Sequence, residues 1–354
     1  MDEKNNENKG HSCLILGGHK PNFNHEEHIL KKEREAFISL LDKAEKDNAL
    51  ILYVIDLFSF EISFDEEINE RLKTLGLIVL ANKRDLLPIN ASNEHLKQYI
   101  QNRFLENGLQ VKKENIYLES FTYQADVSLI VKNIKEVRHS RDIYMLGAKG
   151  SGKSVFLNAF LSTYKNESNK PISEATSENG ALRYFEVPID KNHYLYVLPS
   201  LSIIEPPLLK KRIRKDLSVE EKIITSKFSF DLHSSILFLP YGHFDYIKGK
   251  RKSISATSYF KNDVLVKKAW RKKDLELVKQ IYKICLDNRA KTIDKENNEF
   301  DTFEYTFEEN SEKVFGIADL GFFSLRGEKG ETFSLSVIKG AKIYISEAKI
   351  VKEK

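Results

Sequence analysis

Thiol chemistry has almost no material here: the 354 residues contain two cysteines, Cys13 and Cys285. That excludes a disulfide framework and a four-thiolate zinc site, and it suits a reducing compartment. Long apolar runs are missing as well. No stretch of about 18 uncharged apolar residues occurs, so no membrane span is expected. The N-terminal MDEKNNENKG has no apolar core, so it does not read as a signal peptide, and the cytoplasm is the expected location. His11, His19, His25 and His28 are scattered through the first residues, but their spacing matches no zinc pattern. No zinc is expected.

The composition is otherwise that of a soluble globular chain, with 41% hydrophobic and 31% charged residues. The net charge of +4 is unevenly spread. Glu205 to Asp274 holds 17 Lys/Arg against 8 Asp/Glu, a net of +9, which leaves −5 on the remainder. The basic segment reads either as a surface for an anionic partner, nucleic acid first, or as a lysine-rich solvated face.

Residues 1–27 read as a loosely ordered tail. Apolar positions at helical spacing (Ile29, Phe37, Leu40, Leu41, Ala44) predict a helix over 28–47. Continuous apolar runs at 49–56 and 77–85 predict strands buried on both faces of a parallel sheet. Helices are predicted near 64–75, 92–107 and 126–138, with strands at 116–120 and 142–147. A hairpin is expected from 183–189 and 194–199. This alternation argues for an α/β domain over 28–225, a mostly parallel sheet with helices on both faces. From 226 to 354 short alternating segments predict a β-rich domain, interrupted by one helix near 274–293.

Two motifs carry chemistry. "GAKGSGKS", Gly147 to Ser154, is a glycine-rich phosphate loop between a predicted strand and a predicted helix. Gly147, Lys149, Gly150, Ser151, Gly152 and Val155 would frame phosphate with backbone N–H groups at a helix N-terminus. Lys153 would reach the β- and γ-phosphates, and Ser154 would bind Mg²⁺. "NKRD" (Asn82, Lys83, Arg84, Asp85) ends a buried strand. Asp85 can accept from guanine N1–H and N2–H₂, a pair that adenine does not present. Asn82 would support the loop and the O6 side, and the Lys83 stem would lie along the base. Together the motifs favour GTP or GDP with Mg²⁺.

The order is unusual, because NKRD precedes the phosphate loop by about 60 residues. That is the pattern of a circularly permuted GTPase, and surface loops tolerate such cuts. The chain resembles the bacterial YqeH family of permuted GTPases through "YVIDLFSF", NKRD, the phosphate loop, "HFDYIKGKRKS" (His243 to Ser253), "DLGFFSLRG" and "IKGAKIYISEAKI". The resemblance implies a guanine-nucleotide-binding factor in small-subunit ribosome assembly, monomeric, with a C-terminal domain that meets rRNA or ribosomal protein. It also implies that Ser120 and Phe121 stand where the family's second guanine loop reads Ser-Ala. Lys248, Lys250, Arg251, Lys252, Trp270 and Arg271 are then the RNA-contact candidates. Taken alone, the four charged residues read as a solvated turn, and Trp270 reads equally as a half-buried residue ahead of a helix.

Departures from the family concern hydrolysis. An N-terminal Cys-x-x-Cys zinc finger is expected to be missing. Gly150 replaces the family's Asn, "ENGA" (Glu178 to Ala181) replaces Pro-Gly-Thr-Thr, and "VLPS" (Val197 to Ser200) replaces Asp-Thr-Pro-Gly. Hydrolysis is therefore expected to be weak or ribosome-dependent. The alternative is a non-catalytic RNA-binding scaffold with a relict nucleotide pocket.

Overall fold

A computed structural model describes residues 14–16, 24–121, 127–164, 173–177, 182–200, 222–269 and 300–351. Trp270, Arg271, the expected helix at 274–293 and the ENGA stretch lie outside the described residues.

The first part of the chain runs β1 (Leu14–Leu16), α1 (Asn24–Lys46), β2 (Leu50–Asp56), α2 (Glu66–Leu72), β3 (Gly76–Asn82), α3 (Asn93–Glu106), β4 (Ile116–Leu118), α4 (Ser128–Arg138), β5 (Ile143–Leu146), α5 (Lys153–Thr163), β6 (Ser173–Thr176), β7 (Arg183–Pro188) and β8 (Tyr194–Val197). Seven of these strands form one sheet in the order β4-β3-β2-β5-β8-β7-β6. The first five are parallel, and β7 and β6 add an antiparallel edge.

Alternation along β2 explains why its seven residues are nearly all apolar. Ile51, Tyr53 and Ile55 pack with Phe37, Leu41 and Ala44 of α1 and with Leu96, Ile100 and Phe104 of α3. Leu50, Leu52 and Val54 face the other way, against Ile130, Val131 and Ile134 of α4 and Phe156, Ala159 and Phe160 of α5. A strand covered on both faces must be apolar throughout. Local chemistry sets the helix starts: Asp65 accepts from the Ile68 N–H (3.2 Å) and Ser92 from the His95 N–H (3.3 Å).

The later part is all strand among the described residues. It comprises β9 (Ile223–Asp231), β10 (Ser235–Leu239), β11 (Gly242–Lys248), β12 (Ser253–Lys261), β13 (Leu265–Ala269), β14 (Phe300–Thr306), β15 (Ser311–Ile317), β16 (Gly321–Gly327), β17 (Thr332–Ile338) and β18 (Ile343–Glu347). Two antiparallel sheets result, ordered β1-β18-β15-β16-β12-β9 and β13-β10-β11-β17-β14. Phe238, Phe244, Phe260, Phe315, Phe323 and Phe333 fill the layer between them. Strand β1 pairs with β18 in the register Leu14↔Ile345. Thus Leu14–Leu16 is a sheet edge, where the polar surroundings suggested only a loose tail.

The six-stranded sheet is covered on its second face too. Tyr259, Val314, Phe322 and Tyr344 join the core that contains Phe58, Phe60 and Tyr99. Phe58 and Phe322 lie 5.4 Å apart, centroid to centroid. The segment that leaves β2 is therefore wedged between the α/β sheet and the β-rich part.

Candidate functional site

Chain order within the parallel sheet steps outward from β2 to β3 and β4 on one side, and from β5 to β8 on the other. The reversal lies between β2 and β5. In open α/β sheets the crevice at the carboxyl ends of the strands beside such a reversal is the usual ligand site. Both sequence motifs emerge there, NKRD from the end of β3 and the phosphate loop from the end of β5.

Asn82 joins them. Its side chain is 5% exposed; Nδ2 donates to the Ser151 carbonyl (2.9 Å) and Oδ1 accepts from the Phe121 N–H (2.7 Å). One amide thus fixes the phosphate loop to the loop after β4. Gly152 sits against it with φ +102°, and a Cβ there would fall 2.1 Å from Asn82 Nδ2. Glycine is required on both counts, backbone conformation and close approach.

The rest of NKRD divides into anchors and a free end. Arg84 ties down the following loop, donating to Asn93 Oδ1 (2.7 Å) and to the carbonyls of Pro88 (3.1 Å) and Ala91 (2.8 Å). Lys83 adopts φ +69°, and its ammonium meets Asp56 Oδ2 at 2.8 Å. Asp56 ends β2, and its other oxygen accepts from the Phe58 N–H (2.8 Å). The Ser120 hydroxyl accepts from the Asp85 N–H (2.9 Å). This leaves the Asp85 carboxylate exposed at the mouth of the crevice. Asn82, Lys83, Asp85, Ser120 and Phe121 are thereby brought together. Asp56 is the member that the sequence reading missed; its signal was an acid closing an otherwise apolar strand.

At the phosphate end, Lys149 and Gly150 are exposed, Ser151 and Lys153 are buried, and Ser154 is exposed in the first turn of α5 beside half-buried Val155. The Lys153 ammonium donates to the Gly147 carbonyl (2.6 Å) and to Ser200 Oγ (2.7 Å). Burial brings its pKa down to about 8. A charged group so placed, with only neutral acceptors, is a strong attractor for phosphate oxygen.

The donor set fits Mg²⁺ only as a companion of phosphate. Ser154 offers one hydroxyl. Val197, aligned with Met145 of β5, is buried in the apolar core and offers no oxygen, and Asp56 is engaged by Lys83. Among the described residues no group of three His, Cys, Asp or Glu side chains could hold a metal by itself.

The RNA-contact candidates separate by burial. Lys248, Lys250 and Lys252 are exposed around the β11–β12 turn. Arg251 turns inward instead. Its Nε donates to Glu331 Oε1 (2.8 Å), a second nitrogen pairs with Oε2, and Tyr246 donates to the same carboxylate (2.7 Å). Glu331 is 2% exposed, so the Arg251 charge is matched inside the fold. No helix among the described residues is long and apolar enough to cross a membrane.

Comparison with known proteins agrees with the motif-based resemblance. The chain is similar to the protein YqeH of Bacillus subtilis, 23% identical over 232 residues, covering 65% of this chain and 62% of that protein. It is also similar to NO-associated protein 1, chloroplastic/mitochondrial, of Arabidopsis thaliana, 27% identical over 154 residues, which is 44% of this chain and 27% of the plant protein. The matched regions span less than two thirds of either relative. No family model matches the chain. The chain is a divergent relative of YqeH.

Proposed function

We propose that the crevice binds a guanine nucleotide, and that the chain is a circularly permuted GTPase-type factor acting in the cytoplasm on the small ribosomal subunit. The observation that carries this reading is Asn82, whose single side chain joins the phosphate loop to the guanine-side loop. A chance pair of short motifs has no reason to share one buried amide. In the bound state the loop N–H groups and the positive end of α5 meet the β-phosphate. Asp85 accepts from the guanine edge, Ser120 and Phe121 flank the base, and Ser154 gives one oxygen to a Mg²⁺ carried on the phosphates.

Hydrolysis is the lesser part of this role. Val197 offers no carboxylate to the metal, and Gly150 offers no side chain to the transition state. Groups that neutralise that charge are worth about 10³–10⁵ in rate, so turnover should depend on what the ribosome supplies. The exposed Lys248, Lys250 and Lys252 support contact with rRNA phosphate, the chain acting as a monomer. The same Val197 favours a second reading, a binding protein whose pocket no longer turns over.

Titration with fluorescent mant-GDP and mant-ATP tests the site. Micromolar GDP binding that is lost in Lys153→Ala, with Asp85→Asn relaxing guanine over adenine preference, is the expected result. No binding of either nucleotide would refute it. Single-turnover hydrolysis with purified small subunits, at a rate equal to the buffer control, would leave the second reading standing.

A further inference from the structure

Ser200 is placed where a triphosphate would need room. Its segment is held beside β5 by the Leu198 N–H, which donates to the Met145 carbonyl (3.0 Å). The chain then passes the mouth of the phosphate loop, and the Ser200 hydroxyl takes the Lys153 ammonium at 2.7 Å. In a phosphate loop the lysine serves the β- and γ-phosphates, whereas the loop N–H groups and the helix N-terminus serve the phosphates nearer the base. The ammonium has three N–H donors, of which Gly147 and Ser200 take two, so a diphosphate can accept the third at its β-phosphate and leave the Lys153–Ser200 contact in place. A γ-phosphate oxygen has to displace the hydroxyl from the same ammonium.

We propose that Ser200 sets the phosphate-number preference of the site: by holding the Lys153 ammonium at the γ-position it makes the pocket selective for a nucleoside diphosphate over a triphosphate. This rests on the guanine-nucleotide reading above and specifies its ligand. The lysine cannot serve the hydroxyl and both phosphates together, because Lys153 is 7% exposed and the Gly147 carbonyl and Ser200 Oγ leave it a single N–H. Val197 sharpens the preference. A triphosphate carries more charge than a diphosphate, and the apolar Val197 leaves its metal companion without a protein carboxylate.

Competition against mant-GDP on the full chain tests this, with unlabelled GDP and GTPγS as competitors at fixed Mg²⁺. The expected result is GDP binding at least tenfold tighter than GTPγS. Ser200→Ala and Ser200→Gly should close the gap by improving GTPγS about tenfold while GDP changes less than twofold. Ser200 is exposed, and matching circular dichroism of the variants controls for folding. Equal affinities in the unaltered chain would overturn this inference alone, as would a ratio that both variants leave unchanged. Weaker GTPγS binding in Ser200→Ala would also overturn it, since the hydroxyl would then be a γ-phosphate ligand. Failure of both nucleotides to bind would overturn this inference and the function beneath it.

Discussion

Lys349 is completely buried, and replacing it should be among the most damaging single changes in the protein. Its ammonium pairs with Glu61, which is 1% exposed. It also lies 3.3 Å from the carbonyls of Leu57 and Phe58 and 3.2 Å from the Tyr344 hydroxyl. Four rings surround it, with centroids at 5.1 Å (Phe322), 5.1 Å (Tyr344), 5.5 Å (Phe60) and 5.9 Å (Tyr99). Glu61 Oε1 also accepts from the Tyr99 hydroxyl at 2.8 Å, but Oε2 has no hydrogen-bond partner among the described residues. Lys349→Met keeps most of the volume and removes the charge, leaving a carboxylate buried with one neutral donor. Breaking a buried pair from one side costs about 3–5 kcal/mol. Losing the ring contacts adds to this, each about 0.5–2 kcal/mol for a desolvated cation.

The double variant Lys349→Met/Glu61→Leu distinguishes the pair from its packing. With both charges gone, the pocket is apolar and ringed by aromatics. Replacing a whole buried pair is commonly neutral or stabilising, so the double variant should recover to within about 1 kcal/mol of the unaltered chain. Urea unfolding followed by far-UV circular dichroism reads both variants on the same scale. A Lys349→Met cost below about 1 kcal/mol would refute the reasoning, and so would a double variant no more stable than the single one.

Three other outcomes are expected. Gly152→Ala should abolish nucleotide binding, because its Cβ would collide with Asn82 Nδ2; Gly150→Ala, with φ +81° but nothing within 4 Å, should cost only about 1–2 kcal/mol of backbone strain and retain binding by mant-GDP titration. Raising the pH from 7 to 9 takes Lys153 through its pKa of about 8, so GDP affinity should fall, and a mant-GDP titration that is flat over this range would refute that role. The effect on stability without nucleotide has the opposite sign. The unfolded lysine holds its proton up to about 10.4, so the burial penalty on the charged form is relieved as pH climbs from 8 and returns as pH falls back through it. Finally, Arg251→Ala should destabilise the chain by about 1.5–3 kcal/mol, since Glu331 keeps the Tyr246 hydroxyl and the Glu328 N–H but loses its counter-charge, whereas Lys250→Ala should stay within about 0.5 kcal/mol. If the turn meets rRNA, Lys250→Ala should also lower the salt slope of RNA binding by about one.

Much of the site was legible in the sequence, and the reason is local. Glycines at 147, 150 and 152 and the lysine at 153 act through backbone geometry over eight consecutive residues, so spacing alone describes them. The doubly covered strands β2 and β3 were legible for a similar reason, since a short run apolar at every position fits a strand with both faces covered and no wet face at all. Strand β17 shows where this fails. Its TFSLSVI alternates serine with apolar residues and reads as a sheet with one wet face, yet Ser334 is 3% and Ser336 4% exposed. Partners distant in sequence are illegible altogether: Arg251 looked like one more basic residue of a solvated turn until Glu331 was placed beside it.

Asp56 is the most instructive of these distant partners. It closes β2, holds Lys83 of the NKRD loop with one carboxylate oxygen, and with the other holds the N–H of Phe58. The Phe58 carbonyl in turn receives the Lys349 ammonium and the Tyr344 hydroxyl, each at 3.3 Å. One continuous set of polar contacts thus runs from the NKRD loop, through the end of a parallel strand, into β18 and the residues just after it. Coupling requires two arrangements of such a path and a ligand that favours one of them. The guanine-side ligand would act on Lys83 at one end, and the β-rich part holds the other. Its exposed lysines at 248, 250 and 252 lie around the turn into β12, a strand of the sheet that packs, through Tyr344 and Phe322, against the segment that Asp56 positions. A loss of GDP affinity in Lys349→Met that exceeds any change in ADP affinity would therefore place the effect at Lys83 and Asp85, since the phosphate loop treats the two diphosphates alike. An equal loss of both would mean that the buried pair supports the fold without informing the site.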